Sequence, residues 1–392
     1  MIMKRFVIGI FVMVLFSSCL KTPDFQSYTV NLTVAFDDEV PIQERDSIKV
    51  SLTNLTKNYS KTGYTDADGK ISFTNMEPGF YSASLSHTFV ANGGNDYLNG
   101  LKKIDIFSTV NDTIHTILSK SNAVIIKEFY YSGCLTPAGK YYSSDQYIEV
   151  YNNSATIQYL DGMSLVEDES YAISPYYFSY IKDSIVVRMI WSFPGTGKKY
   201  PILPGQNIVI ARDAINHRSD PNGNPLSPVN LGNAEFEFYV YHVSGGDFDS
   251  PTSVNMIEDL FTFRGSDIAF HTRGGSAIAL VKIPGDSAER KQYIDNHLVA
   301  KAGSNRYYGI IPDSYVIDAV EVTWDEAHAI YKRFPVEIDA GYTYVSAGSH
   351  SGKCIRRKVK EVINNRFIYQ DTNNSCNDFL KNATPKPWVN EW

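Results

Sequence analysis

Cysteine is scarce in this 392-residue chain, with four in all. A disulfide-stapled mini-fold is thereby excluded, and apolar burial has to hold the molecule together. Long apolar runs are lacking as well. The N-terminal stretch Phe6–Phe16 carries no charge, but at about 1.5 Å per residue it is too short to cross ~30 Å of hydrocarbon as a helix. Basic residues are massed nowhere beyond Arg356-Arg357-Lys358, and the net charge is −7, which argues against nucleic acid as a partner.

Catalytic spacings are missing too. The histidines at 87, 115, 217, 242, 271, 297, 328 and 350 form no His-x-x-x-His pair, and neither Cys-x-x-Cys nor Gly-x-Ser-x-Gly occurs. Pro194-Gly195-Thr196-Gly197-Lys198 lacks the Walker spacing and runs into a strand pattern, so it reads as a turn. Glu167-Asp168-Glu169 and Asp247/Asp249 read as solvated loops. The expectation is a protein that is not an enzyme and has no cofactor or metal.

What the chain does have is aromatic residues, 27 Tyr and 21 Phe, among plentiful Val, Ile and Thr. That composition favours strands. It also has a recognisable start. Met1–Arg5 is basic, Phe6–Phe16 has the length of a signal-peptide core, and Leu15-Phe16-Ser17-Ser18-Cys19 resembles a bacterial lipobox. The resemblance implies a signal peptide over 1–18, lipid on Cys19 and a tether over 19–26. The alternative is a soluble secreted protein cleaved near Ser18. Acyl chains would anchor the protein through ~0.8 kcal/mol per buried methylene. Asp24 is the one acid of the tether, so which face of an outer membrane the protein occupies stays open, with the cell surface favoured by the architecture below.

Residues 27–120 read as a first β domain. Tyr28, Val30, Leu32, Val34 and Phe36 alternate with polar residues, as do Ile48, Val50 and Leu52. Asp66-Ala67-Asp68-Gly69 and Pro78-Gly79 are turns; a calcium loop at Asp66 lacks its closing glutamate. The segment Thr65–Leu85 resembles prealbumin-like, Cna-B-like (carboxypeptidase regulatory-like) sandwiches of bacterial surface proteins.

Residues 121–392 read as a second, larger β domain. Gln146-Tyr147-Ile148-Glu149-Val150-Tyr151-Asn152, Leu160-Asp161-Gly162-Met163-Ser164-Leu165, Tyr200–Ile210, Ala277–Val281, Val316–Val322 and the closing Cys354–Lys358 and Gln370–Phe379 segments follow one another in order. In that order they resemble the lamin-tail domain, an immunoglobulin-like sandwich. The resemblance implies an all-β chain of two tandem β-sandwiches, with insertions at about 171–190, 212–262 and 286–310 as contact loops. Asp371, Asn373, Asn374 and Asp378 belong to a polar loop that closes the sandwich, with Arg356 and Arg357 bracketing it as ion pairs. The resemblance makes the two closing segments neighbours, which implies a Cys354–Cys376 disulfide and leaves Cys134 over. Three buried free thiols are the alternative.

The whole layout resembles a domain-of-unknown-function family of Bacteroidota surface lipoproteins. Asp46-Ser47-Ile48, Asp112-Thr113-Ile114, Asp183-Ser184-Ile185 and Asp286-Ser287-Ala288 also fit the short O-glycosylation pattern of that phylum's exported proteins. The expectation is a non-enzymatic binding module of the outer membrane. Its expected partners are the membrane through its lipid, an outer-membrane β-barrel transporter of the TonB-dependent kind, or a glycan or peptide ligand, and no nucleic acid. An adhesin-like structural protein and a non-catalytic accessory of an exported hydrolase are the rival readings.

Overall fold

The computed structural model describes residues 26–392 apart from 37–39, 58, 92–93, 120, 244–246 and 264. The expected signal peptide and the expected lipidation site Cys19 lie outside the described residues. Strands hold 41% of the chain and helices 7%, arranged in several sheets that form more than one β domain. Among the described residues no helix is long and apolar enough to cross a membrane.

The first domain has seven strands: β1 (Tyr28–Ala35), β2 (Lys49–Asn54), β3 (Tyr59–Tyr64), β4 (Lys70–Met76), β5 (Gly79–Ala91), β6 (Gly94–Ile106) and β7 (Val110–Ser119). They run in the order β3-β2-β5-β6-β7-β1-β4. All neighbours are antiparallel except β1 and β7, which pair in parallel from Val30↔Val110 to Ala35↔His115. The alternation in the sequence is what places the core. Val30, Leu32 and Val34 of β1 and Val50 and Leu52 of β2 are buried, together with Phe73, Leu85, Leu98, Ile104 and Ile114. Each fully buried side chain of this size contributes about 1.5–3 kcal/mol. β6 meets β7 only from Tyr97 to Gly100. Gly100 allows that approach, because a Cβ there would stand 2.8 Å from Ile114 Cγ2.

The second domain stacks two sheets, each of seven strands. The first runs Val254–Asn255, Phe236–Glu237, Asn207–Ala211, Tyr147–Asn152, β8 (Val124–Tyr130), Cys354–Arg357, Phe379–Ala383. The second runs Leu298–Ala300, Tyr307–Pro312, Ser184–Ser192, Ser164–Asp168, Ile278–Val281, Val316–Val320, with Ile257–Phe261 also on Ser184–Ser192. Ile126, Phe129, Ile148, Val150, Leu165, Trp191, Ile210, Leu280 and Ile355 fill the space between them.

The outer faces are covered as well. Ile294 of helix α1 (Ser287–Asn296), Phe334 and Ile338 pack over the second sheet. The C-terminal segment covers the first. There Lys127 pairs with Glu149 at 3.2 Å and Arg356 with Glu128 at 3.0 Å, all four buried. The backbone N–H groups of Trp388 and Lys386 donate to Glu149 (2.7 Å) and Glu128 (2.9 Å). Buried charges need such partners, since an unpaired one costs several kcal/mol.

The expected insertions are therefore corrected in part. Residues 184–190 of the 171–190 segment are a central strand whose positions from Ile185 onward are all buried. The 212–262 and 286–310 segments also add strands to the sheet edges instead of forming loops throughout. The sequence hid this because a strand wet on neither face shows no period-two alternation.

Candidate functional site

Two adjacent strands of the first domain put small hydroxyls outward wherever their apolar partners point inward. Ser51 lies opposite Ser84 and Thr53 opposite Ser82, on one face of β2 and β5. Thr53 and Ser60 share a hydrogen bond of 3.1 Å. This face is the floor of a cleft of about 300 Å³ between the domains. The opposite wall comes from the second domain, chiefly Glu326, Gly341, Tyr342, Asn374, Cys376 and Asn377.

The wall is rigidly built. Asn374 caps the single-turn helix α2 (Ser375–Asp378), its side chain accepting from the N–H groups of Cys376 (3.2 Å) and Asn377 (3.4 Å). Asp339 accepts from the N–H groups of Gly341 and Ser375, each at 2.9 Å. Gly341 has no room for a side chain, because a Cβ would lie 2.1 Å from Asn374 Oδ1. The hydroxyls of Tyr342 and Tyr344 both donate to Glu326. Leu55 of the first domain packs with Ala329 and Tyr342 beside the cleft, and Lys103 donates to the Ile330 carbonyl. Burial lowers the Lys103 ammonium, with Lys332 adding to the effect.

Behind the wall, one guanidinium organises the junction. Arg357 is buried and reaches Asp318 (2.6 and 2.7 Å), Asp371 (3.1 Å), Asp378 (3.3 Å) and the carbonyls of Ile126 (2.9 Å) and Gln370 (3.0 Å). Asp371 also accepts from the N–H of Asn122, and its carbonyl accepts from Ser121 Oγ at 2.9 Å. Asp378 accepts from the N–H and hydroxyl of Thr372, both at 2.8 Å. Asn373, at φ 51°, turns the loop and meets Asn122 at 3.3 Å. Asn99 of β6 donates to the Thr372 carbonyl. The loop at 371–378 thus clamps the interdomain connection, and Asp371 and Asp378 spend their oxygens on protein donors. Burial raises both Asp318 and Asp378, while Arg357 opposes that rise.

Arg357 does pair with the acidic loop, but Arg356 turns away to Glu128 and Glu391. The expected disulfide is not formed: Cys134, Cys354 and Cys376 are free thiols. Cys354 is buried, with its thiol directed at the Ala383 carbonyl (3.4 Å), whereas Cys376 sits in the cleft wall. The backbone near the closing segments explains the separation, since Cys354 lies opposite Ala383 and not opposite Cys376. Cys376 is exposed as a residue, and desolvation in the cleft wall raises its thiol while Lys381 opposes the rise.

Glu326, Tyr342 and the hydroxyls of β2 and β5 are the functional candidates the motifs did not mark. The β2 and β5 hydroxyls were visible in principle, as a run of small outward hydroxyls on two strands.

Residues 203–386 match the model of a family described as "Protein of unknown function (DUF4876)". The C-terminal part of the chain is DUF4876-like. The matched segment holds the cleft wall, Arg357 and its three acids, but not the hydroxyl floor. A crystal structure of a DUF4876 family protein from Bacteroides thetaiotaomicron VPI-5482 is 27% identical, with a TM-score of 0.60, covering 92% of this chain and 96% of that one. Similarity to the DUF4876 protein therefore extends into the N-terminal domain. A DUF3823 family protein from Parabacteroides merdae ATCC 43184 is 9% identical and covers 47% of this chain and 81% of that one. Its TM-score of 0.18 establishes no common fold. No curated protein matches the chain.

Proposed function

We propose that this protein is a lipid-anchored, non-enzymatic binding module of the outer membrane, facing the cell surface, whose ligand lies in the interdomain cleft. In this reading Cys19 carries the lipid and a prealbumin-type domain acts as the stalk. A lamin-tail-type domain forms the head.

The observation that carries the reading is the cleft. Ser51, Thr53, Ser82 and Ser84 face Asn374, Asn377 and Tyr342 across about 300 Å³. Hydroxyls and amides predominate on both walls, with Lys49 and Glu326 the charged side chains among them and Glu326 already taken by the hydroxyls of Tyr342 and Tyr344. Such a lining suits a ligand rich in hydroxyls, and a glycan segment is the ligand proposed. An apolar or strongly charged molecule would leave these groups unpaired at about 1–3 kcal/mol each. The partner proposed for the head is an outer-membrane β-barrel transporter.

Two experiments test this. Cys19→Ala should move the protein from the membrane fraction to the soluble fraction; retention in the membrane would remove the anchor from the proposal. Glycan-array binding by the lipid-free chain should be lost in Ser84→Trp, which fills the cleft, with the melting temperature unchanged. Binding that survives Ser84→Trp, or binding to peptides alone, would overturn the glycan assignment. Failure to recover a β-barrel on pull-down from intact outer membranes would remove the transporter.

A further inference from the structure

Away from the cleft, three carboxylates from distant parts of the chain converge. Asp213 lies two residues beyond the strand Asn207–Ala211, Asp247 lies between Phe236–Glu237 and the edge strand Val254–Asn255, and Asp267 follows Ile257–Phe261. Each offers an oxygen within 4.8 Å of the others. Arg212 is the cation bound to this group, with Nε 3.0 Å from Asp267 Oδ2, and its Nη1 is turned to Ser143 Oγ at 3.1 Å. Asp247 accepts from the N–H groups of Val240 and Phe248, both at 2.8 Å. Three carboxyl groups face one guanidinium, a donor set that a divalent cation would hold ionised.

A second observation is independent of this charge count. Asp213 is only 9% exposed, and its Oδ1 is shut off from solvent with no hydrogen-bond partner. Asp267 Oδ1 also lacks a hydrogen-bond partner, although that side chain is partly exposed and its Oδ2 is bound to Arg212. Buried acceptors are nearly always satisfied, so two orphan oxygens in one cluster of acids indicate that something other than an N–H group satisfies them. Burial pushes Asp213 up to about 7; Arg212 pulls it down, while Asp267 and Asp247 push it further up.

We propose that Asp213, Asp247 and Asp267 bind a calcium ion that fastens the 212–267 segment to the first sheet of the second domain. Only hard oxygen donors make up the triad, with no thiolate or imidazole among the three. Calcium bonds of about 2.4 Å place opposed oxygens up to about 4.8 Å apart, whereas magnesium demands a tighter octahedron at about 2.1 Å. Three carboxylates with water completing the shell fit the weak extracellular class, with a Kd on the order of 10⁻⁴–10⁻³ M.

The test uses the full chain carrying Cys19→Ala, freed of metal with EDTA. Calorimetric titration with calcium chloride should show one ion bound per chain, and calcium at about 5 mM should raise the melting temperature by several degrees over EDTA. Magnesium at the same concentration should raise it less. Asp247→Asn with Asp267→Asn should weaken calcium binding at least about tenfold while the far-UV circular dichroism is kept. Absence of heat together with identical melting in calcium and in EDTA would overturn the proposal. So would undiminished calcium binding by the double variant, because the ion would then sit elsewhere. If the double variant does not fold, the wild-type titration decides alone, and terbium luminescence displaced by calcium but not by magnesium supports the site.

Discussion

The two β domains solve the same problem in opposite ways. In the first, strands such as β1 and β2 bury one face and leave the other wetter, as β2 shows with Val50 and Leu52 inside and Ser51 and Thr53 out. In the second, strands such as β8 are buried at every position, and acidic and basic side chains are carried inside with their partners. A one-sided sheet has positions free for recognition at no cost to its core. A two-sided sheet has none, so recognition moves to loops and edges. The cleft is where a free face of the first kind meets loops of the second.

The contrast can be broken at its strongest point first. Arg357→Ala strands three buried acids and should cost about 3–5 kcal/mol in urea unfolding. A cost below about 1 kcal/mol would mean the cluster is not ionised as drawn. Next, Leu52→Ala in the one-sided domain should cost about 2–5 kcal/mol by the same measurement.

A smaller effect is expected from pH. Burial pushes the Glu237 carboxyl up to about 7, against the lowering by the N–H groups of Ser250 (2.7 Å) and Ala214 (3.1 Å). A raised carboxyl stabilises fully below its unfolded value near about 4.3, and that contribution is lost as pH rises through about 7. Glu237→Gln should therefore flatten the fall in stability between those values. An unchanged slope would place the effect in another group. Smallest of all, Ser51→Ala should change stability by no more than about 0.5 kcal/mol, because its hydroxyl faces the cleft and not the core. A large loss there would show that the outward face is structural.

The same contrast explains what could be read from the residues alone. Alternation from Tyr28 to Ala35 and from Lys49 to Asn54 marks strands because water is on one side of them. Ser184–Ser192, with Arg188 at its middle, carries no such signature. Arg188 is buried against Glu167, and a charge inside a strand reads locally as a loop. The polar run at 371–378 was legible as a structured loop from its Asn and Asp content. Its task of clamping Ser121 and Asn122 was not, because those contacts join residues about 250 apart in sequence. The Cys354–Cys376 expectation failed for the same reason, since nearness of two segments does not specify which residues face each other. Asp213, Asp247 and Asp267 likewise become a group only once the chain has returned twice to the same sheet edge.

The parallel pairing of β1 with β7 has a mechanical consequence. The chain enters the first domain at the start of β1 and leaves it at the end of β7, so the two points lie at opposite ends of one parallel ladder. A pull between residues 28 and 119 therefore slides the strands along each other and loads the rungs from Val30↔Val110 to Ala35↔His115 together. It cannot peel them apart one at a time. A domain entered and left in this way is suited to carrying tension.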